Sequence, residues 1–231
     1  PDKQNVKDAD VSKNSDLRVV GKNGAEVWVT YIGDGNFYLN NMNTYNSLMY
    51  YNYIESELSS MNSLTPATLH MTMLLPNTNQ MYCPAGLKLQ LLYWDGNQYS
   101  KTFPEGTRIG FAVAREGYKC NGAPITDASA YSFKRIIGST LYPQKDGDVR
   151  GNYYSTPQLN QVGKSQAVTR WIEDYGYCVT GLDIRPIGNA KSDYDFNDVL
   201  IAVSSSPIPD AIQPGTVIDP VEVAVASEST Y

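Results

Sequence analysis

The sequence contains few of the residues on which catalytic and zinc sites commonly depend. It has one histidine, His70, and three cysteines among 231 residues. A Ser-His-Asp or Cys-His arrangement would therefore rest on His70 alone. Structural zinc sites take four nitrogen or sulfur ligands at short spacing, whereas Cys83, Cys120 and Cys178 lie far apart. These counts argue against zinc, and they leave open either one disulfide with a free thiol or three reduced thiols.

Basic residues and long apolar runs are scarce as well. Lys and Arg total 18 against 24 Asp and Glu, for a formal net charge of −6. Nucleic acids and anionic membranes attract basic clusters, and here the basic residues are scattered. The longest apolar runs have the length of a strand, not of a transmembrane helix. We therefore expect no nucleic-acid binding and no membrane insertion by this domain.

Motifs for enzymatic chemistry are absent too. The sequence has no phosphate-binding glycine loop of the P-loop or Rossmann type. Glycosidases use two carboxylates that face each other across a cleft, and no such pair stands out among the acidic residues. We therefore expect no catalytic residues and no enzymatic activity.

The residues that are present favour strands. Hydrophobic residues make up 42% of the chain, and 18 residues are tyrosine, which suits half-buried pleated surfaces. Short β-rich segments alternate with turns of Gly, Asn, Asp and Pro, and none has the period of an amphipathic helix. This pattern predicts an all-β fold, a jelly-roll-like antiparallel β-sandwich, over residues 17–206. Residues 1–16 are expected to form a polar arm, and residues 207–231 a tail or linker.

Individual strands follow from the local pattern. Asp95-Gly96-Asn97 separates two β-rich segments and predicts a hairpin. Residues 197–204 (NDVLIAVS) are apolar on both faces, which predicts a central strand covered on both sides. Residues 56–63 are expected to hold one helical turn. The predicted strands are 25–32, 37–40, 45–54, 67–75, 86–94, 98–103, 107–114, 131–141, 166–174, 177–185 and 197–204, with 218–226 as a further edge strand.

One segment concentrates oxygen-bearing side chains directly before the central strand. Residues 193–198 (DYDFND) include Asp193, Asp195, Asn197 and Asp198. Burying such groups without partners is costly, and exposed carboxylates at this spacing repel one another. A calcium ion resolves both problems, since it takes six to eight oxygen ligands. The alternatives are a loop whose Asp and Asn side chains cap turns and a catalytic carboxylate cluster.

The same segment carries a resemblance to a known family. Residues 182–203 (LDIRPIGNAKSDYDFNDVLIAV) resemble the signature of a bacterial domain family found in LruC-type surface lipoproteins and in large repeat-rich adhesins. Ile172, Glu173 and Asp174 take the position of the family's Phe/Ile-Glu-Asp element. Further segments that match in order are 37–53, 73–77 (MLLPN), 103–115 (FPEGTRIGFAVAR) and 154–160 (YSTPQLN).

The resemblance implies a calcium-dependent, jelly-roll-like and non-catalytic domain of secreted or surface proteins. The implied metal ligands are Asp193, Asp195, Asn197, Asp198, Glu173 and Asp174. This chain has a longer insert, residues 175–190, between the two acidic elements than the family often has. Asp183 in that insert is therefore an alternative ligand. Asp34, Asp146 and Asp148 are weaker alternatives, because Asp-Gly turns account for them.

These inferences give one expected function and two alternatives. We expect a monomeric binding or adhesion module with a glycan or a surface protein as its partner. Tyr153, Tyr154 and Trp94 are the candidate glycan contacts. Since the chain opens with Pro1 and no methionine, we expect export after removal of a leader. The resemblance implies the outer-membrane surface or periplasm of a Gram-negative bacterium as the destination. The alternatives are a carbohydrate hydrolase with an acidic pair and a purely structural spacer or assembly subunit.

Overall fold

The computed structural model of the chain describes most of the predicted domain. The described residues are 11–34, 46–59, 64–66, 68–79, 83–115, 119–120, 123–124, 152–184, 195–206 and 212–214. Within these segments the chain is built mainly of strands, with one short α-helix, α1 (Glu55–Ser59), where a helical turn is predicted. No helix in this part of the chain is long and apolar enough to cross a bilayer.

The strands form two large sheets and two small hairpins. In chain order the strands are β1 (Leu17–Val19), β2 (Ala25–Gly33), β3 (Ser47–Ile54), β4 (Thr72–Leu75), β5 (Lys88–Gln90), β6 (Tyr93–Trp94), β7 (Tyr99–Ser100), β8 (Thr102–Phe103), β9 (Thr107–Ala114), β10 (Lys119–Cys120), β11 (Ala123–Pro124), β12 (Asn152–Tyr154), β13 (Ala167–Ile172), β14 (Tyr177–Leu182), β15 (Val199–Ser206) and β16 (Ile212–Pro214). The first sheet has the order β16-β1-β9-β3-β4, with β12 also paired to β9. The second has the order β13-β14-β15-β2-β5, with β8 also paired to β2.

The two sheets enclose one apolar core. Val27 and Val29 of β2 pack in the same buried cluster as Ile109, Phe111 and Val113 of β9. Alternate residues of a strand point to opposite faces, so each sheet contributes one face to this core. Every pairing between the described strands is antiparallel. The all-β sandwich is thus confirmed, and the finer jelly-roll topology stays a prediction.

A second apolar cluster covers the outer face of the first sheet. Met49 and Tyr51 of β3 and Ala112 of β9 point away from the inter-sheet core and pack against Leu69 and Leu159. Those two leucines lie in connecting segments that fold over the sheet. As a result, β9 is buried along its whole length.

The sequence pattern predicts the longest strands well and the short ones poorly. The segments 25–32 and 107–114 correspond to β2 and β9, and β15 lies between β14 and β2 as a central strand. The segment predicted at 67–75 is a strand only over β4. Before it, the N–H groups of Thr68 and Leu69 both donate to the Thr65 carbonyl oxygen, which makes a turn. The segments predicted at 37–40, 131–141 and 218–226 lie outside the described residues.

The described ends of the chain pack more closely than the predicted arm and tail suggest. Val11 and Asp16 are buried, and the Ser165 N–H donates to the Val11 carbonyl oxygen. At the other end, β16 lies within the predicted tail and pairs with β1. Residues on both sides of 17–206 therefore belong to the sandwich.

Cys83 and Cys178 are free thiols in the core between the sheets. Burial raises the pKa of Cys83 to about 11, with a further contribution from the charge of Asp34. Burial also raises the pKa of Cys178 to about 12. Both groups are therefore protonated at neutral pH, and neither has the character of a reactive thiolate.

Candidate functional site

Asp183 directly follows β14 and Asp198 directly precedes β15, so two acidic residues lie where these paired strands meet. Leu182 pairs with Val199, and the same register continued by one residue places Asp183 opposite Asp198. Side chains at opposed positions lie on one face of the sheet, with Cβ atoms about 5 Å apart. Asp183 is 0% exposed and Asp198 is half-buried. Like charges so placed repel, and the repulsion grows where water is excluded.

The loop that enters β15 is held by backbone hydrogen bonds. The Ile184 N–H donates to Asp198 Oδ2 at 2.9 Å, which ties the loop to the end of β14. Two residues earlier, the Asn197 N–H donates to Asp195 Oδ1 at 3.3 Å. These bonds give both carboxylates a local structural role, as the turn-capping alternative expects.

The turn in this loop depends on Phe196 and Gly181. Phe196 has a φ of 51°, in the left-handed region that residues with bulky side chains rarely adopt, and its ring is buried. A Cβ at Gly181 of β14 would overlap the Phe196 carbonyl oxygen. The absence of a side chain at Gly181 therefore lets the loop cross close to β14.

A further acidic side chain lies at the same end of the second sheet. Gly33 pairs with Leu200, so Asp34 follows β2 beside the start of β15. Asp34 is 8% exposed, and burial raises the pKa of its carboxyl group. We define the acidic end of the sandwich by four residues: Asp34, Asp183, Asp195 and Asp198.

The acidic end supplies the donor type that calcium takes, carboxylate oxygen. Within the described residues, however, no three His, Cys, Asp or Glu side chains are close enough together to hold a metal. Asp193 of the predicted ligand set lies outside those residues, as do Asp146 and Asp148. Asp183 and Asp198 could thus supply only part of a calcium shell, and backbone, water or residues outside the described segments would have to supply the rest.

The structure does not bring Glu173 and Asp174 to the acidic end. Both are exposed and lie in a 3-10 turn between β13 and β14. The Ile172–Tyr177 pair closes the hairpin there, whereas Leu182 lies at its opposite end. At about 3.4 Å per residue the two ends are roughly 17 Å apart. Glu173 and Asp174 therefore cannot share a metal shell with Asp198, whereas the alternative residue Asp183 lies next to the end of β14.

The predicted glycan contacts divide into one surface residue and two buried ones. Tyr153 and Tyr154 are 4% and 3% exposed, because they belong to β12 and not to an open loop. Tyr153 packs in the inter-sheet core and Tyr154 in the outer cluster. These rings are therefore not open to a ligand. Trp94 is half-buried, and its ring stacks on His70 with centroids 4.2 Å apart.

Sequence reasoning missed the contacts of His70. Residues 67–75 are predicted as one strand, and this pattern carries no information on the hairpin against which His70 packs. Leu69 and Met71, on either side of His70, are buried. The contact with Trp94 arises from tertiary structure, so no local pattern reveals it.

The chain was compared with protein-family models, with curated proteins and with solved structures, and nothing matches. The resemblance of residues 182–203 to a surface-domain family stays a prediction. The function is therefore inferred from the geometry of the described residues and from the chemistry of the sequence.

Proposed function

We propose that the chain is a non-catalytic, calcium-binding β-sandwich module that serves in binding or adhesion at a cell surface. The observation that carries the proposal is the position of buried Asp183 opposite Asp198. A divalent cation beside the two carboxylates replaces their repulsion by attraction to a common charge. Calcium suits such a site better than magnesium, because it accepts a variable number of oxygen ligands in flexible geometry.

The proposed ligands come from two neighbouring strands and the loop between them. Asp183 follows β14, Asp198 precedes β15, and Asp195 lies in the loop. Asp193 and the Asn197 side chain, both of which belong to the ligand set predicted from the sequence, complete the proposed shell. Held by one ion, these residues would order the loop against the end of the second sheet. The bound ion supplies positive charge for this purpose and takes part in no reaction.

The cellular setting belongs to the same proposal. The resemblance to surface lipoproteins and adhesins supports export to the outer-membrane surface or periplasm of a Gram-negative bacterium. The acidic net charge of −6 favours a glycan or a protein over nucleic acid as partner. Calcium at the level of extracellular fluids would then keep the module in its ordered form.

Thermal unfolding in calcium and in EDTA tests the metal assignment. Extracellular modules bind calcium with Kd values of about 0.1–1 mM. At about 10 mM calcium, binding to the folded state alone adds about 1.4–2.7 kcal/mol of stability. For a domain of this size the melting temperature should rise by roughly 3–10 °C. Asp183→Asn and Asp198→Asn should each remove most of that rise.

Asp174→Asn is the matched control, because Asp174 is an exposed carboxylate at the opposite end of the β13–β14 hairpin. It should keep the full calcium response. Identical melting temperatures of the wild type in calcium and in EDTA would contradict the proposal. A calcium response that survives both Asp183→Asn and Asp198→Asn would instead move the ion away from this pair.

A further inference from the structure

The hairpin β6–β7 is attached to the first sheet by side chains, not by strand pairing. Asn52 of β3 donates from Nδ2 to the Trp94 carbonyl oxygen and accepts at Oδ1 from the Trp94 N–H, both at 2.9 Å. The Tyr50 hydroxyl accepts from the Leu92 N–H at 2.8 Å and donates to the Leu92 carbonyl oxygen at 3.0 Å. These four bonds fix the backbone on both sides of Tyr93, and with it the position of Trp94.

Three aromatic rings meet beside this hairpin: His70, Trp94 and Tyr99, which we name the aromatic cluster. The His70 ring stacks on Trp94 with an interplanar angle of 8°. The Tyr99 ring is tilted by 53° to Trp94, with centroids 4.9 Å apart. The Tyr99 hydroxyl is hydrogen-bonded to His70 Nε2 at 2.7 Å and to Thr72 Oγ1 at 3.0 Å. The rings are thus ordered before any ligand binds.

The aromatic cluster is open to solvent. Tyr99 is 38% exposed, and His70 and Trp94 are half-buried. The cross-strand pair Trp94–Tyr99 contributes to the stability of the hairpin. His70 and Thr72 come from a different part of the chain and hold Tyr99 by further hydrogen bonds. Rigid, exposed Tyr and Trp rings offer a large contact area at a low cost in conformational entropy.

The spacing of the rings decides which kind of ligand the aromatic cluster suits. Quaternary ammonium groups bind in cages whose aromatic faces surround an open volume. Here the His70 and Trp94 rings lie in contact, with 4.2 Å between centroids, so no ammonium group fits between them. The part of the cluster that reaches solvent consists of the Tyr99 ring, which is exposed, and of the partly exposed rings of His70 and Trp94. Such a surface suits a flat ligand with an apolar face, as the C–H face of a pyranose ring provides.

Polar residues form the turn of the hairpin between Trp94 and Tyr99. Asp95, Asn97 and Gln98 are all exposed. Asp95 Oδ1 accepts hydrogen bonds from the Gln98 N–H at 2.8 Å and from the Asn97 N–H at 2.7 Å. These bonds lower the pKa of the Asp95 carboxyl, with that from Gln98 as the larger cause. A rigid turn with one ionised carboxylate and two amides offers donors and acceptors to sugar hydroxyls, and its charge disfavours acidic sugars.

We propose that the aromatic cluster, with the turn at Asp95–Gln98, is the site at which the module binds a neutral hexopyranoside. The pyranose C–H face packs on Trp94 and Tyr99, and its hydroxyls meet the polar side chains of the turn. The inference rests on the proposed binding role of the module and does not depend on calcium. It also moves the glycan contacts from buried Tyr153 and Tyr154 to residues on the hairpin.

Binding to immobilised neutral oligosaccharides tests the site. The array should carry terminal glucose, galactose, mannose and N-acetylglucosamine, and it should be probed in calcium and in EDTA. The sugar retained best is then titrated by calorimetry against the wild type, Trp94→Ala and Tyr99→Ala. Each substitution should weaken binding by about tenfold or more, since it removes one stacking ring. Tyr99→Ala serves as the second variant if Trp94→Ala lowers the melting temperature.

Tyr175→Ala is the control for an exposed aromatic residue elsewhere. Tyr175 is 72% exposed and stacks on Tyr177 beside β14, so its removal should leave sugar binding unchanged. Retention of no neutral sugar by the wild type would overturn the proposal. Sugar binding unaffected by both cluster substitutions would overturn it as well, as would binding of choline or a proline-rich peptide in place of sugar. If the wild type binds sugar but shows no rise in melting temperature on addition of calcium, only the calcium proposal is contradicted.

Discussion

The Asp16 carboxyl group is buried among hydroxyl groups at the outer side of the first sheet. It accepts a hydrogen bond from the Tyr53 hydroxyl at 2.6 Å and further bonds from Ser155 and Thr156. Burial raises the pKa of this carboxyl group, and the three hydroxyl donors and the charge of Arg108 partly offset the rise. One acceptor thus satisfies three buried donors from β3 and the segment after β12. The network attaches the segment before β1 to the sandwich.

Removal of this acceptor should destabilise the domain strongly. Asp16→Ala leaves the hydroxyls of Tyr53, Ser155 and Thr156 to find new partners, and we expect a loss of about 2–4 kcal/mol in the free energy of unfolding. Asp16→Asn keeps an oxygen acceptor and should cost about 1–2 kcal/mol. Urea unfolding at constant pH measures both values. Asp174→Ala, at an exposed carboxylate, should stay within about 0.5 kcal/mol of the wild type. Equal effects of Asp16→Ala and Asp174→Ala would refute the buried network.

At the scale of single elements, β14 and the loop before β15 depend on each other. Gly181 of β14 pairs with Leu200 of β15, and the Phe196 carbonyl oxygen occupies the space above it. The left-handed turn at Phe196 then directs Asp195 and Asp198 toward the end of the sheet. The shape of the proposed calcium loop is thus set by a strand outside the acidic motif.

Gly181→Ala should displace the loop and impair the calcium response. Overlap of the new methyl group with the backbone at Phe196 should cost about 1–3 kcal/mol in the free energy of unfolding. The rise in melting temperature on addition of calcium should also shrink. Gly163→Ala is the comparison: its φ of 64° makes it strained by about 1 kcal/mol, but its Cβ would meet nothing within 4 Å. That variant should keep the full calcium response, and an equally full response in Gly181→Ala would contradict the proposed loop geometry.

At the scale of the whole molecule, local pattern predicts the sandwich but not the contacts between distant segments. The β-rich segment 25–32 identifies β2, and the two apolar faces of residues 197–204 identify a central strand, because both features depend only on neighbouring residues. The partners of Asp16 and the placement of Asp183 opposite Asp198 depend on strand order and register. The acidic motif at residues 193–198 is evident in the sequence. Asp183, in contrast, is only one of several alternative metal ligands that the sequence offers. Likewise, the sequence places His70 in a predicted strand but does not reveal its ring contacts.

The single histidine gives the whole chain one imidazole titration, which tests the aromatic cluster directly. Partial burial lowers the pKa of His70 below its ordinary value of 6.5. Between the folded-state and unfolded-state pKa values, His70 is therefore protonated to a greater extent in the unfolded chain than in the folded one. The stability contributed by the neutral ring is present above pH 6.5 and is lost as the pH falls through the folded-state pKa. Because His70 stacks on Trp94, the same proton should change the tryptophan emission.

We expect one pair of imidazole C–H resonances, Hε1 and Hδ2, in the proton NMR spectrum of the folded chain. Both should titrate with a midpoint below pH 6.5, and tryptophan fluorescence should change at the same pH. In His70→Gln both signals should vanish. The difference in unfolding free energy between wild type and this variant should grow in favour of the wild type as the pH rises through that window. Tyr175→Ala, whose ring lies outside the aromatic cluster, should leave the midpoint unchanged. A midpoint at or above 6.5 would mean that the imidazolium is stabilised in the fold, contrary to a ring held neutral by partial burial against Trp94 and Tyr99.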